Sequence, residues 1–177
     1  MRSKTNSSNI KRKIVLGLGN TLNCDEGMGV HYLKALETHL KELHSSESLD
    51  EDSNESQIEF LDGGVLGLNL LPWVEEASHL LVLDAINARK EPGSIIELSR
   101  NEIPLYTGIK LSDHQITFQE VLGLAQFRGL LPEHLHLIGA QPVNLSIGID
   151  LSPEIEATIP KIIDRAEEIL REWKLIE

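Results

Sequence analysis

Short apolar runs alternate with segments of helical spacing, and this alternation is the strongest constraint on how the chain can fold. The run Ile14-Val15-Leu16 is followed by a segment from Met28 to Leu43 whose apolar residues recur at helical spacing. Further apolar runs, each followed by a segment of helical spacing, occur along the chain. Parallel strands need helical crossovers between them, so the pattern predicts an α/β domain with a mainly parallel sheet.

The same patterns give the approximate limits of each element. We expect one three-layer domain with a twisted sheet of about five strands flanked by helices. Ser152 is expected to cap the last helix, with Pro153 at its first position. Strands are expected at 14–16, 58–61, 80–83, 94–98 and 134–140, helices at 28–43, 66–74, 116–127 and 153–173, a disordered tail at 1–12, the domain itself at 13–177, and an acidic loop insertion at 45–57.

Composition excludes some classes of partner. Asp and Glu number 28 against 16 Lys and Arg, which gives a formal charge of −12 and disfavours binding to nucleic acid phosphates. The single cysteine, Cys24, cannot form an intrachain disulfide, which fits a reducing compartment. No run approaches the roughly 20 apolar residues of a membrane-spanning helix, and the N-terminus lacks the apolar region of a secretory signal. We therefore expect a cytoplasmic protein with no membrane partner.

Titratable residues fall near the ends of the predicted strands. Asp25 and Glu26 lie in the loop after the first strand, Asp62 and Asp84 directly follow the next two, and His114 precedes a helix. In open parallel sheets, ligands bind beyond the carboxyl ends of the strands. Two carboxylates and one histidine could bind Zn, Ni, Mn or Fe, which would polarise a carbonyl or activate water. Two carboxylates could instead share a proton, as in aspartic proteases.

Structural roles compete with each of these readings. An Asp after a strand often closes a turn, and a lone His is more often structural than a ligand. A Cys24–His nucleophile is conceivable, but a cysteine in such a loop more often packs. Gly17-x-Gly19 resembles a dinucleotide fingerprint, yet Leu22 stands where its third glycine is needed, and Glu26 would repel a phosphate.

Several motifs, in this order, resemble those of the [NiFe]-hydrogenase maturation endopeptidases. The resemblance extends from about Lys13 to about Trp173. The first motif is the most specific, and the others gain weight from their order. The matching segments are GLGNTLNCDEGMG at 17–29, Asp62-Gly63-Gly64, Leu81-Val82-Leu83-Asp84-Ala85 and Ser112-Asp113-His114-Gln115.

The resemblance implies an activity and a set of site residues. Family members remove a C-terminal extension from the hydrogenase large-subunit precursor after nickel has entered it. Matched by position, the metal-contacting and catalytic residues would be Glu26, Asp84 and His114. Nickel would be presented by the precursor, although other divalent metals could bind in vitro. Asn20 and Asp25 are expected to position the loop, and we favour attack by water over a covalent intermediate.

Two alternatives come from other functional classes. Gly17-Leu18-Gly19-Asn20 also resembles the start of peptidyl-tRNA hydrolases, but Thr21-Leu22 follow where that family has Pro-Gly. The charge of −12 also opposes tRNA binding. The second alternative is a non-catalytic, metal-sensing module that keeps the ligands and lacks cleavage.

Overall fold

The computed structural model describes residues 11–45, 58–103 and 118–177. His114 lies outside the described residues, as do nearly all of the predicted tail at 1–12 and of the predicted insertion at 45–57. Where these predictions meet the described residues, the boundaries shift slightly. The first strand already begins at Arg12, and the first helix continues to Ser45.

Five strands form one sheet with the order β2-β1-β3-β5-β4. Strands β1, β2, β3 and β5 are parallel, and β4 runs antiparallel to β5 at one edge. This arrangement confirms the predicted α/β class and the mostly parallel sheet. The strands are β1 (Arg12–Leu18), β2 (Glu59–Gly64), β3 (Ala77–Ala85), β4 (Ile95–Ser99) and β5 (His134–Ala140).

Helices cover both faces of the sheet and produce the expected three layers. Successive strand residues point to opposite faces, so Leu81 packs with α1 and α5, while Val82 packs with α2 and α3. None of the helices in the described ranges has the length and apolarity needed to cross a membrane. The helices are α1 (Met28–Ser45), α2 (Leu71–Glu76), α3 (Phe118–Phe127), α4 (Pro153–Glu156) and α5 (Ile159–Glu172).

The last predicted helix is interrupted, and the reason lies in the sequence. Pro160 has no N–H to donate, and its ring would clash with the carbonyl of Glu156 in a continuous helix. The chain therefore forms two helices with a break at residues 157–158. Ser152 does occupy the position before α4, but the predicted side-chain cap is wrong: its hydroxyl donates to the Asp25 carboxylate instead.

Candidate active site

The acidic residues lie at the carboxyl edge of the sheet, as the strand pattern predicts. Asp25 and Glu26 belong to a 3-10 turn, Cys24–Gly27, between β1 and α1. Asp62 and Asp84 lie within the last residues of β2 and β3 and not beyond them. Since β1 pairs with both of these strands, three adjacent strands deliver carboxylates to one edge.

Glycines allow the turn that carries Glu26 to pack tightly against the sheet. A Cβ on Gly19, whose φ is +116°, would lie 1.8 Å from the backbone oxygen of Glu26. A Cβ on Gly29 would lie 2.2 Å from the Leu83 oxygen and 2.4 Å from the Leu18 oxygen. Only glycine allows these backbone approaches. The start of α1 is thereby pressed onto the ends of β1 and β3, and Glu26 is brought next to β3.

Glu26 is buried and oriented by a neighbouring amide. Its side chain is almost inaccessible, with a residue exposure of 5%. The Nδ2 group of Asn23 donates a hydrogen bond of 2.9 Å to its Oε2 atom. Asn23 is thus a positioning residue that the sequence analysis did not single out. The available signal was its place directly before this turn and three residues before Glu26, a spacing at which side chains of a 3-10 turn meet.

Asp84 is buried in a less polar environment. It is 1% exposed and pairs in register with Gly139 of β5. A Cβ at position 139 would lie 1.8 Å from the backbone oxygen of Asp84. Its Oδ1 atom accepts a 2.8 Å hydrogen bond from the Ala85 N–H. Burial raises the pKa of Asp84 well above its ordinary value, and the hydrogen bond from Ala85 opposes this only in part. Strand alternation places Asp84 on the same face as Val82 and Ile86, the face covered by α3.

Asp25 is equally buried but has a structural role, as expected. Its carboxylate accepts hydrogen bonds from the N–H groups of Val143, Asn144 and Ser152 at 2.7–2.9 Å, and from the Ser152 hydroxyl at 2.8 Å. Burial alone would raise the pKa of Asp25, but these donors together outweigh it and hold the pKa below its ordinary value. Asp25 therefore joins the loop after β1 to the loop after β5.

The remaining candidates of the first two loops also have structural roles. Asn20 closes its own turn, since its Oδ1 accepts a hydrogen bond of 3.0 Å from the Leu22 N–H. Asp62 is exposed and accepts a hydrogen bond of 3.1 Å from the Gly64 N–H. Cys24 is buried with a φ of +46°, and a Cβ on Gly148 would lie 2.5 Å from its sulfur. Its thiol packs against the loop after β5.

The structure places two of the three predicted metal ligands at the same edge of the sheet. Glu26 and Asp84 are both buried at the carboxyl edge, and the turn of Glu26 contacts β3. Within the described ranges, no group of three His, Cys, Asp or Glu side chains is placed to hold a metal ion. His114, the predicted third ligand, lies outside these ranges. The metal-binding and catalytic roles of Glu26, Asp84 and His114 therefore stay predictions.

The loop after β5 is a feature that the sequence analysis passed over. Residues 143–149 alternate apolar and small or polar side chains, a pattern typical of a half-buried strand. In the structure the apolar side chains are exposed instead, beside the turn of Glu26. The signal available in the sequence was the alternation of apolar residues directly after β5 and Pro142. No helix follows this alternation at once.

Comparison with known proteins gives a consistent result. A family model described as "Hydrogenase maturation protease" matches residues 40–169. The "Hydrogenase expression/formation protein HupD" of Rhizobium leguminosarum bv. viciae is 40% identical over 164 residues, covering 92% of this chain and 75% of the relative. The "Hydrogenase 2 maturation protease" of Escherichia coli is 35% identical over 162 residues, covering 91% and 92%.

Solved structures agree with these relatives. The hydrogenase maturating endopeptidase HybD from E. coli superposes with a TM-score of 0.74 at 34% identity, covering 91% of this chain and 93% of that chain. The [NiFe] hydrogenase maturation protease HycI from Thermococcus kodakarensis has a TM-score of 0.64 at 21% identity, covering 91% and 93%, and supports the fold alone.

Proposed function

Because this chain belongs to the hydrogenase maturation protease family and is therefore a peptidase, we propose that it removes the C-terminal extension of a [NiFe]-hydrogenase large-subunit precursor. We further propose that it acts on the precursor that already carries nickel. The observation that carries the proposal is the burial of Glu26 and Asp84 at one edge of the sheet. Buried carboxylates cost free energy unless they are paired, protonated or bound to a cation. Among the described residues the Asp84 carboxyl accepts a single hydrogen bond, from the Ala85 N–H, and this marks the edge as the candidate functional site.

The donor set suits a metal ion that arrives with the substrate. Glu26 and Asp84 offer oxygen ligands, and His114 would add a nitrogen ligand. Carboxylate and imidazole ligands suit nickel and other borderline divalent ions. Cys24 contributes no thiolate in this scheme, because its sulfur packs against Gly148. Thiolate ligands would have to come from the precursor, so the site would be complete only when a loaded precursor docks.

The chain's own residues would then bind and orient the substrate and keep other water out of the site. Asn23 holds the Glu26 carboxylate through its amide, which orients it for a contact with the substrate-borne ion. Asp84 is held from one side by the Ala85 N–H. A bound divalent ion polarises a carbonyl or activates water. We favour attack by water on the scissile carbonyl, with these carboxylates and His114 around it.

His114 can be connected with this face through the residues that flank its segment. Ile103 and Phe118 are the described residues on either side of it, and both are buried in the core under α2 and α3. Asp84 points to that same face of the sheet. The two described residues that flank the segment of His114 therefore lie on the face of Asp84, and the role of His114 stays a prediction.

One assay tests the proposal directly. The protein is incubated with nickel-loaded and nickel-free precursor, and the mass of the large subunit is followed. We expect cleavage of the loaded form alone. Cleavage of neither form would exclude the proposed protease, and equal cleavage of both would exclude nickel recognition. Binding without cleavage would favour the metal-sensing alternative.

Matched variants then test the individual residues. Glu26→Gln and His114→Ala are expected to abolish processing while the thermal unfolding midpoint stays near that of the wild type. Glu91→Gln and His136→Ala serve as controls, since Glu91 is exposed and His136 pairs with Glu97 in the outer part of the sheet. Full activity of a folded Glu26 or His114 variant would show that the residue is misassigned.

A further inference from the structure

The loop after β5 presents a row of exposed apolar side chains beside the candidate site. Val143, Leu145, Ile147 and Ile149 are 43%, 47%, 93% and 67% exposed, and Leu22 of the neighbouring loop is 63% exposed. No charged residue occurs between residues 142 and 149. Single exposed apolar residues are ordinary, but a continuous row of them marks an interaction surface. We call residues 143–149 together with Leu22 the apolar ledge.

The apolar ledge is held in place from below. Asp25 accepts the N–H groups of Val143 and Asn144, so one end of the ledge is fixed to the turn of Glu26. Further along, Gly148 donates its N–H to the Leu22 oxygen at 2.9 Å and accepts the Cys24 N–H at 2.9 Å. The apolar side chains are therefore exposed on a loop whose backbone is anchored by hydrogen bonds.

The backbone of the ledge also has an unused side. Gly148 forms a parallel β-bridge with Asn23, so both of its backbone polar groups face residues 22–24. The chain bends at residues 146–147 and 149–150, on either side of this bridge, which leaves the N–H groups of Ile147 and Ile149 outside it. Among the described residues, neither of these two N–H groups has an acceptor. Exposed backbone donors beside apolar side chains are what an added strand requires.

We propose that the apolar ledge binds an extended apolar segment of the hydrogenase large-subunit precursor, next to the scissile bond, as an added strand. This inference rests on the proposed function, because it takes the precursor as the occupant. Continuity of the ledge with the site argues for that occupant. Leu22 and Cys24, which bond to Gly148, lie two to four residues before Glu26. A segment paired along Ile147 and Ile149 therefore runs beside the turn that carries Glu26.

The chemistry of the ledge defines the preferred segment. Without charges on the ledge, recognition would come from apolar side chains and from backbone hydrogen bonds, which any extended sequence can make. Apolar side chains of the added strand would pack on the exposed apolar side chains of the ledge. The ledge would thus select an extended, uncharged segment and set its register against Glu26.

Steady-state kinetics provide the first test, with a matched control. Phe127 provides the control position, because it is 85% exposed and far from the candidate site. It is the last residue of α3 and lies near the start of β5, at the amino ends of the parallel strands and not at the carboxyl edge. Ile147→Asp is expected to raise KM for the nickel-loaded precursor about tenfold with kcat within about twofold, as for the loss of one buried apolar side chain. Phe127→Asp should change neither. Equal KM values for the wild type and both variants would overturn the proposal.

Hydrogen exchange tests strand addition independently of cleavage. The Glu26→Gln variant is mixed with the nickel-loaded precursor, and amide exchange is followed by mass spectrometry. Protection of residues 145–149 in the complex is expected, and unchanged exchange there would contradict the proposal. The same complex, formed with a benzophenone side chain at position 147, should crosslink to the segment that flanks the cleaved bond. A crosslink to a second copy of this chain, or only to a remote part of the precursor, would overturn it.

These measurements separate the two proposals. A wild-type protein that cleaves neither precursor would refute the proposed function. Affinity for the labelled nickel-loaded precursor would still be compared among the wild type, Ile147→Asp and Phe127→Asp. Weaker binding of Ile147→Asp alone would support the ledge, and equal affinity of all three would refute it.

Discussion

Two buried aspartates at the same edge of the sheet have opposite environments. Asp25 accepts four hydrogen bonds from the loop after β5, and its pKa is held below the ordinary value. Asp84 accepts one, from Ala85, and burial raises its pKa well above that value. Burial alone therefore does not distinguish a structural acid from a functional one. The number of donors around each carboxylate makes Asp84 the better candidate ligand of the two, because a satisfied carboxylate has little left to offer a ligand.

The largest expected effect concerns Asp84 and activity. Asp84→Asn removes a negatively charged ligand from the candidate site, so the processing rate is expected to fall about 100-fold or more. The fold should persist, because an amide of the same shape replaces a buried carboxyl. The product mass measures the rate, and thermal unfolding checks the fold. A folded Asp84→Asn variant with wild-type activity would show that the contrast between the two aspartates has no functional meaning.

The corresponding change at Asp25 should act mainly on stability. Asp25→Asn loses a charge and places amide hydrogens against the donors of Val143, Asn144 and Ser152. Leaving such buried donors unsatisfied is expected to lower the free energy of unfolding by about 2–4 kcal/mol. Urea denaturation measures this loss. Asp62→Asn is the control, because exposed Asp62 accepts one hydrogen bond, and it should cost less than about 1 kcal/mol.

The two aspartates should also respond to pH with opposite signs. The folded pKa of Asp84 is raised, so its contribution to stability is present below its unfolded pKa and is lost as pH rises through the folded pKa. Asp25, with a lowered folded pKa, contributes above its unfolded pKa and loses that contribution as pH falls through the folded pKa. Urea unfolding from acidic to neutral pH measures both.

The Asn variants isolate each contribution. Relative to the wild type, Asp84→Asn should gain stability as the pH rises. The deficit of Asp25→Asn should shrink as the pH falls. Parallel stability curves for the wild type and both variants would contradict the assigned environments.

The smallest expected effect concerns the packing between the two loops. Gly148→Ala would place a Cβ 2.5 Å from the Cys24 sulfur, so the loops must separate slightly. We expect a loss of about 1 kcal/mol in unfolding free energy, together with a higher KM for the precursor. Cys24→Ala in the same chain should restore part of the stability, because it removes the clashing atom. Additive effects of the two substitutions would show that the contact is not as close as described.

Much of the fold could be predicted because local patterns and topology agree. The alternation of strands and helices predicted the class, and the strand ends predicted the edge of the sheet at which Asp84 and Glu26 lie. The break before α5 was also encoded in Pro160, although the periodicity of the apolar residues masked it. Boundaries shifted where a 3-10 turn at Gly67–Leu70 precedes α2.

The roles within the site were harder to predict. Ser152 has the residue type and position of a helix cap, but its hydroxyl bonds to an aspartate 127 positions away, which no local pattern indicates. Asp25 and Glu26 are adjacent acids, and only the distant donors in the loop after β5 identify the structural role of Asp25. The ledge was missed because apolar alternation normally indicates a buried face, and here Ile147 faces solvent.

The hydrogen bonds of Asp25 have a consequence for the order of folding. They join positions 118 to 127 residues apart, so they close one of the longest loops in the chain. Contacts of such high sequence separation form late, because the entropy of closing the loop must be overcome first. During synthesis, the turn with Glu26 emerges from the ribosome early but acquires its anchor only after residue 152 has emerged. The carboxylate thus makes the anchoring of the turn that carries Glu26 depend on prior synthesis of residues 143–152.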